Sequence, residues 1–351
     1  MCKTAIHQFL QALPKCEHHI HVEGTFEPDL LFQMAKKHNI DLPQDDPAFA
    51  SVETLRARYS RFKNLDDFLG YYYIAMSALI DAADFEELAY AYFAKAASQS
   101  VRHIEMFFDP QAHITRGVKF STVVSGLAAA KKRAVRDFDL TIEIIMCLLK
   151  HLPVADAEET FRQAKQGGWF NDGTFIGLGM DSSELPYPPE MWQDIYAAAN
   201  AAGIKRTIHA GEEGPASYVR QALDMLLAQR IDHGIRSFDD KALVRRLAEE
   251  QILLTTCPLS NVRLRCISNI SEFPLRKLMD SGLRFSINSD DPAYFGGYIL
   301  ENYCALQEVF GLTVQEWEKI AKGAVHGSWC SSERKAKILG EISSVVGRWT
   351  A

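Results

Sequence analysis

Histidines and carboxylates recur at four separated points of this chain, each at the end of a short apolar run. His19 and His21 stand one residue apart in the first run. Residues at positions i and i+2 of a strand face the same side, so both imidazoles can bind one ion. The later members of the set are His209, Glu212, His233, Asp290 and Asp291. Because imidazoles and carboxylates are ordinary zinc ligands and a nearby glutamate can carry protons, the set predicts a catalytic metal site.

The runs that carry these residues alternate with helical patterns. Eight strand-like runs can be identified, at 17–22, 101–108, 140–149, 175–180, 206–210, 230–233, 252–257 and 283–288. Single helices between strands predict parallel βαβ units, and eight such units predict an α/β fold of the (β/α)8 TIM-barrel type. The polar residues all fall at the carboxyl ends of their strands, where barrels of this type carry their active sites.

The connection after the first run, residues 27–100, is far longer than one crossover helix requires. Bulky side chains recur there at helical spacing, at Phe62, Leu65, Phe68, Leu69, Tyr72 and Tyr73. The pattern predicts a helical insertion that covers the C-terminal face and excludes water from the site. The alternative is that the stripe is plain helix-packing core. Without a linker-like segment or a repeat, the chain is predicted to be a single domain over residues 1–351.

Composition excludes several classes of function. The formal net charge of −7 argues against nucleic acid or an anionic membrane surface as the main partner. The seven cysteines are scattered without a C-x-x-C pair, which is typical of free thiols in a reducing compartment. No secretory signal and no run of roughly 18 apolar residues is recognisable, so a cytoplasmic protein is predicted. Nothing in the sequence specifies an oligomeric state.

Two other zinc-site patterns do not fit. The chain has no H-E-x-x-H helix. His21-Val22-Glu23 matches H-x-E, but the P-C-x-x-C partner of cytidine-deaminase-type sites is absent. Within the set, His233 could instead be a structural histidine, and Glu213 suits a solvated loop position better than Glu212 does.

Taken together, the motifs resemble the adenosine/adenine deaminase family of metal-dependent hydrolases. The matching stretches keep the family's order and span nearly the whole chain, at 14–24, 209–214, 231–234, 257–261 and 288–292. The resemblance implies one zinc ion per chain, with the ligands His19, His21, His209 and Asp290. It also implies Glu212 as proton donor, His233 as the residue that orients the attacking water, and Asp291 as a base-binding residue that accepts a substrate N–H.

Within the family, two positions favour the free base as substrate. Glu23 stands where adenosine deaminases usually have aspartate, and its longer side chain would enter the space that a ribose needs. Ser182, in the stretch 179–184, stands where they carry glycine. The resemblance therefore implies hydrolytic deamination of adenine to hypoxanthine and ammonia, a purine-salvage reaction on a small-molecule base. Two alternatives remain open: a deaminase of adenosine or N6-substituted adenine, and a catalytically silent barrel that binds purine.

Overall fold

Short strands, all paired in parallel, form the centre of the protein, for which a computed structural model describes residues 5–350. The strands are β1 Lys15–Glu17, β2 Val101–Phe108, β3 Thr141–Leu149, β4 Gly177–Asp181, β5 Lys205–Arg206, β6 His209–Ala210, β7 Arg230–His233, β8 Leu253–Thr256 and β9 Arg284–Ile287. They lie side by side in chain order, β1 to β5 in one sheet and β6 to β9 in a second.

Strands β5 and β6 are two halves of one run, and they join the two sheets. Only Thr207 and Ile208 separate them. The Thr207 N–H donates to the Leu178 carbonyl of β4 at 3.0 Å, and the Asp232 N–H of β7 donates to the Ile208 carbonyl at 2.9 Å. Backbone pairing therefore continues across the break, and this run counts as one of the eight predicted strands.

The two sheets also meet on the other side of the ring, where the segment that follows β1 pairs with the residues after β9. The His21 N–H donates to the Asp290 carbonyl and the Asp290 N–H donates to the His19 carbonyl, each at 3.1 Å. On its other side this segment pairs with β2, where the Phe107 N–H donates to the Ile20 carbonyl at 2.8 Å. The ring of parallel strands is thus complete, and the predicted (β/α)8 barrel is confirmed.

Helices occupy the connections between the strands. They are α1 His7–Ala12, α2 Pro28–His38, α3 Val52–Tyr59, α4 Leu65–Met76, α5 Ala82–Ser98, α6 Pro110–Ile114, α7 Phe120–Asp137, α8 Val154–Gln166, α9 Gln193–Ala201, α10 Ala216–Asp224, α11 Lys241–Glu249, α12 Pro258–Arg263, α13 Leu275–Asp280, α14 Pro292–Phe295, α15 Ile299–Phe310, α16 Val314–Gly327 and α17 Ser332–Thr350. Helices α2 to α5 all lie between β1 and β2, in the long connection that the sequence marked as an insertion.

The aromatic stripe of that insertion has two roles. Phe62, which precedes α4, is buried and packs on Tyr59 and on Phe68, with ring centroids 5.7 and 5.6 Å apart. Phe68 also packs on Phe295 beyond β9, at 4.8 Å. The stripe is therefore partly helix-packing core. The same stripe on α4, including Phe68, also lines a cavity at the carboxyl ends of the strands.

Two further observations bear on the sequence predictions. Among residues 5–350, no helix has both the length and the apolarity needed to cross a membrane. Cys16, Cys147, Cys257, Cys266 and Cys330 are free thiols, as predicted. Cys304 is disulfide-bonded, which the scattered pattern of cysteines did not predict.

Candidate active site

A cavity lies at the carboxyl ends of the strands, and most of the predicted site residues line it. Its polar wall includes His21, His209, Glu212, His233, Asp290 and Asp291. Leu65, Phe68, Leu69, Tyr72 and Tyr73 of helix α4 line the same cavity. A hydrophobic helix therefore covers a group of buried, chargeable side chains, which is the arrangement that excludes water from a reacting centre.

Four side-chain donors converge at the base of this cavity. The Nε2 atoms of His21 and His209 are 3.2 Å apart, and Oδ1 of Asp290 lies 3.1 Å from Nε2 of His19 and 3.4 Å from Nε2 of His21. One donor atom from each of the four residues lies within 4.8 Å of the others, and all four residues are buried.

This donor set fits a metal ion. Nε2 of His19 is buried and makes no hydrogen bond. Such an atom costs free energy unless something binds it. Two nitrogens on a tetrahedral zinc would stand about 3.3 Å apart, given Zn–N bonds of roughly 2.0–2.1 Å. The 3.2 Å between His21 and His209 matches that spacing.

Asp232 connects two of these imidazoles on their Nδ1 side, away from the point where the four donors converge. Its Oδ1 accepts a hydrogen bond from the Thr255 hydroxyl at 2.8 Å, and that hydroxyl lies 2.9 Å from Nδ1 of His19. Its Oδ2 faces Nδ1 of His209 at 3.4 Å. Burial alone would raise the pKa of Asp232, but His209 and His19 outweigh burial and lower that pKa. Groups at Nδ1 fix the orientation of a metal-binding imidazole and leave Nε2 for the ion.

Asp181, at the end of β4, stands behind the third imidazole, with Oδ2 3.3 Å from Nδ1 of His21. Burial, together with the charge of Glu23, raises the pKa of Asp181 to about 7. No role was predicted from the sequence for Asp181 or Asp232. Asp232 lies in the stretch 231–234 that matches the family pattern, and Asp181 lies in the stretch 179–184 with Ser182; these stretches are the signal that could have identified them.

Glu212 stands beside the four donors and is not one of them. Its Oε1 accepts a hydrogen bond from Nδ2 of Asn261 at 3.0 Å, and its Oε2 lies 3.4 Å from Nε2 of His233. Burial, followed by the negative charge of Asp290, raises the pKa of Glu212 well above its usual value. A carboxylic acid that keeps its proton near neutral pH is suited to general-acid catalysis. Asn261, which sequence reasoning missed, fixes this group.

The loop that carries Glu212 is held by a second carboxylate, Glu184. Its two oxygens accept hydrogen bonds from the backbone N–H groups of Gly211 and Glu212 at 3.0 Å and of Gly214 at 2.8 Å. A Cβ at position 214 would stand 2.4 Å from Oε2 of Glu184, so a larger residue there would displace this carboxylate from its hydrogen bonds. Three hydrogen bonds to Glu184 thus fix the backbone of the loop where Glu212 is placed.

Three of the predicted site residues have an unfavourable backbone conformation. Ser182, His233 and Asp290 have φ angles of 70°, 63° and 62°. Non-glycine residues seldom adopt positive φ, and the strain is typically retained at functional positions. The Ser182 hydroxyl lies 2.7 Å from Nδ1 of His151, which holds it at the rim of the cavity.

Asp291 lines the cavity next to the donor set. Its Oδ1 is buried without a hydrogen-bond partner, so it is available to a ligand. Burial, followed by the charge of Asp290, raises the pKa of Asp291 well above its usual value. A Cβ on Gly24 would lie 2.0 Å from this oxygen, so the missing side chain at position 24 makes room for it.

Glu23 differs from the other predicted residues. It is buried, but it is not among the residues that line the cavity. Its Oε1 accepts hydrogen bonds from the backbone N–H of Asp109 at 3.1 Å and from Nε2 of His113 at 2.9 Å. The structure therefore places Glu23 behind the turn that follows β2. A contact of Glu23 with the sugar position stays a prediction.

Comparison with known proteins agrees with this geometry. Residues 14–345 match the family model for adenosine deaminase. A Schizosaccharomyces pombe protein named adenine deaminase is 54% identical over 351 residues, which is all of this chain and 96% of that protein. The crystal structure of adenine deaminase from Arthrobacter aurescens superposes with a TM-score of 0.90 at 40% identity, covering 95% of this chain and 99% of that one. An amidohydrolase from Burkholderia ambifaria with bound zinc gives a TM-score of 0.87 at 26% identity, covering 99% and 95%. The chain belongs to the adenosine deaminase family.

Proposed function

We propose that this protein is a zinc-dependent hydrolase that converts adenine and water to hypoxanthine and ammonia, in purine salvage. The observation that carries the proposal is the convergence of three imidazoles and Asp290 below a cavity that also contains Glu212, His233 and Asp291. The relatives of about 50% identity that span the whole chain are named adenine deaminase, which supports the choice of substrate.

His19, His21, His209 and Asp290 are the proposed ligands of one zinc ion per chain. The fit rests on the His21–His209 spacing and on the unbonded nitrogen of His19. An ion held by these residues would act as a Lewis acid that makes a water molecule nucleophilic at neutral pH.

Glu212 and His233 are the proposed proton carriers. The raised pKa of Glu212 favours its protonated form, which can deliver a proton to N1 of the purine and so make C6 electrophilic. Burial, followed by the positive charge of His19, lowers the pKa of His233 well below its usual value, so its ring is neutral and can accept a hydrogen bond from the attacking water. Water adds at C6 and returns one proton to the Glu212 carboxylate. Its second proton passes to the amino group, the C6–N bond breaks, and ammonia leaves a C6=O group on the ring.

Asp291 and Ser182 are the proposed contacts to the base. The free oxygen of Asp291 can accept a hydrogen bond from an N–H of adenine, such as the 6-amino group. Ser182 lines the same cavity. Helix α4 supplies apolar side chains opposite the charged wall, which suits a flat, neutral heterocycle.

The test is to incubate the purified protein with adenine and with adenosine side by side and to identify the products. We expect hypoxanthine from adenine and almost no inosine from adenosine. A kcat/KM for adenosine within tenfold of that for adenine would contradict the assignment to the free base. Tight zinc without turnover of adenine, adenosine or N6-alkyl adenines would favour a silent purine-binding barrel instead.

A further inference from the structure

One buried carboxyl group close to the donor set has no role in the mechanism above. Glu17 is the last residue of β1, is 1% exposed and does not belong to the cavity wall. It stands two positions before His19 in the sequence. Burying a carboxyl group costs free energy unless its oxygens accept hydrogen bonds. The donors that Glu17 binds therefore indicate what it does.

Oε1 of Glu17 accepts two hydrogen bonds from a single residue, Ser289. The donors are the backbone N–H of Ser289, at 3.1 Å, and its hydroxyl group. Ser289 is completely buried and directly precedes Asp290, one of the proposed metal ligands. Glu17 therefore fixes the residue before a ligand, although 272 positions of sequence separate the two.

The other oxygen of Glu17 is bound to the insertion. Oε2 accepts a hydrogen bond from the Tyr92 hydroxyl of α5 at 2.7 Å, and Tyr92 is buried as well. Both oxygens of Glu17 thus have partners, in contrast to Oδ1 of Asp291, which is left for a ligand. Glu17 is not built to bind a ligand, and its connection to the site is Ser289.

The backbone of Asp290 is strained, and Glu17 binds next to that strain. Asp290 has a φ of 62°. Its N–H donates to the His19 carbonyl at 3.1 Å, and the preceding N–H, that of Ser289, donates to Glu17. Two consecutive N–H groups are therefore held by β1 and the segment that follows it. A strained conformation persists only where the surrounding contacts enforce it, and these contacts flank the strained residue.

We propose that Glu17 is a positioning residue for Asp290. By holding both donors of Ser289, it keeps Asp290 in the strained conformation that directs Oδ1 toward the neighbouring imidazoles. Glu17 itself contacts neither the metal nor the base. Without its carboxyl group, two buried donors of Ser289 would lose their partner, and the turn could relax and withdraw the carboxylate of Asp290. This inference rests on the proposed zinc site.

The experiment measures metal binding in wild type, Glu17→Ala and Glu17→Gln. Zinc affinity is determined by chelator competition, and the visible spectrum of the Co²⁺-substituted protein reports the ligand geometry. Glu17→Ala should bind zinc about 10–100-fold more weakly, the usual effect of losing a group that orients a ligand, and its Co²⁺ spectrum should change. Glu17→Gln should restore both, because its amide oxygen can accept from Ser289 and its NH2 can donate to the Tyr92 oxygen.

Tyr92→Phe is the matched control for a purely structural role. It removes the hydrogen bond between Glu17 and α5 but leaves both bonds to Ser289. It should lower Tm, while its zinc affinity and Co²⁺ spectrum stay near those of wild type. If Tyr92→Phe weakened zinc binding as much as Glu17→Ala, Glu17 would act through general stability, and the inference would be overturned.

Ser289→Ala covers the case in which Glu17→Ala does not fold. It removes the hydroxyl and keeps the N–H, so it should weaken zinc binding several-fold and shift the Co²⁺ spectrum in the same direction. Unchanged zinc affinity and spectrum in Glu17→Ala, or in Ser289→Ala where Glu17→Ala does not fold, would overturn the inference. A loss in Glu17→Gln as large as that in Glu17→Ala would also overturn it.

Adenine turnover separates this inference from the proposed function. Zinc-saturated Glu17→Ala should lose about 10–100-fold in kcat with KM changed far less, since Asp290 is a proposed metal ligand and not a contact of the base. A loss confined to KM would contradict the inference. If wild type binds zinc but deaminates no aminopurine, the proposed reaction fails, and the differences in metal binding still decide the role of Glu17. If wild type binds neither zinc nor Co²⁺, both proposals fail.

Discussion

Replacing Glu212 by glutamine tests the proton-transfer role with little change in shape. The amide oxygen can still accept from Nδ2 of Asn261, now at 3.0 Å. The amide NH2 would take the place of Oε2, 3.4 Å from Nε2 of His233. Because His233 is neutral, its ring can accept that hydrogen bond. The substitution should therefore preserve the fold and the position of the side chain.

The expected loss follows from what glutamine cannot do. An amide does not deliver a proton to N1, and general acid–base catalysis contributes about 10²–10⁴-fold to the rate. Glu212 is not among the four converging donors, so metal affinity should be unchanged. We expect kcat to fall by about 10²–10⁴-fold with KM changed far less, since the interaction is gained in the transition state.

The assay measures adenine turnover and bound zinc for wild type, Glu212→Gln and a matched control, Glu213→Gln. Glu213 is the adjacent acid, is only partly buried and does not line the cavity. Its variant should retain activity within a few-fold. Loss of zinc from Glu212→Gln would show that Glu212 is a ligand, and a fall in kcat below tenfold would show that it is a bystander. Either result refutes the reasoning.

Three further outcomes are expected. Purified protein should contain one equivalent of zinc, and chelation should abolish activity that added zinc restores; two equivalents, or full activity after stripping, would contradict the single site. Asp232→Asn should weaken zinc binding by about 10–100-fold in chelator competition, because Asp232 faces His209 and accepts from Thr255; unchanged affinity would remove that role. Gly24→Ala should raise KM for adenine at least about tenfold, because its Cβ would meet Oδ1 of Asp291 at 2.0 Å. The control is Gly340→Ala, whose Cβ would have nothing within 4 Å and should leave KM unchanged. An unchanged KM in Gly24→Ala would place the base elsewhere.

The convergence of His19 and His21 on one point could be predicted from the sequence because it depends on a local rule. Regular strand β1 ends at Glu17, earlier than the predicted end at 22. Isolated bridges at Ile20 and His21 nevertheless keep the backbone extended. The alternation of side chains therefore holds, and Nε2 of both His19 and His21 reaches Oδ1 of Asp290. Here a period-two argument was sufficient.

The groups that contact the Nδ1 side of these imidazoles, and the partner of Glu212, could not be predicted in this way. Asp232 meets Thr255 because β7 and β8 pair in a register that places these residues opposite each other. Asn261 reaches Glu212 across 49 positions of sequence. A single polar residue in an apolar strand does not indicate which partner it will meet, since that depends on the register of another strand. The same limit applies to the position of Glu23. Its hydrogen bonds come from the Asp109 N–H, 86 positions away in sequence, and from His113, 90 positions away.

The strained backbone at His233 and Asp290 links the barrel to the chemistry. A residue that ends a strand would normally point its side chain to one face of the sheet. Positive φ at these two positions redirects both side chains toward one point above the barrel, where Oδ2 of Asp290 is 3.9 Å from Nε2 of His233. Gly234, with φ of 73°, allows the chain to turn away at once. Such strain persists only where the surrounding structure enforces it, and here hydrogen bonds to His19 and Ile208 hold the strand ends in place. The same closure that completes the barrel therefore also positions the residues proposed to act on the base.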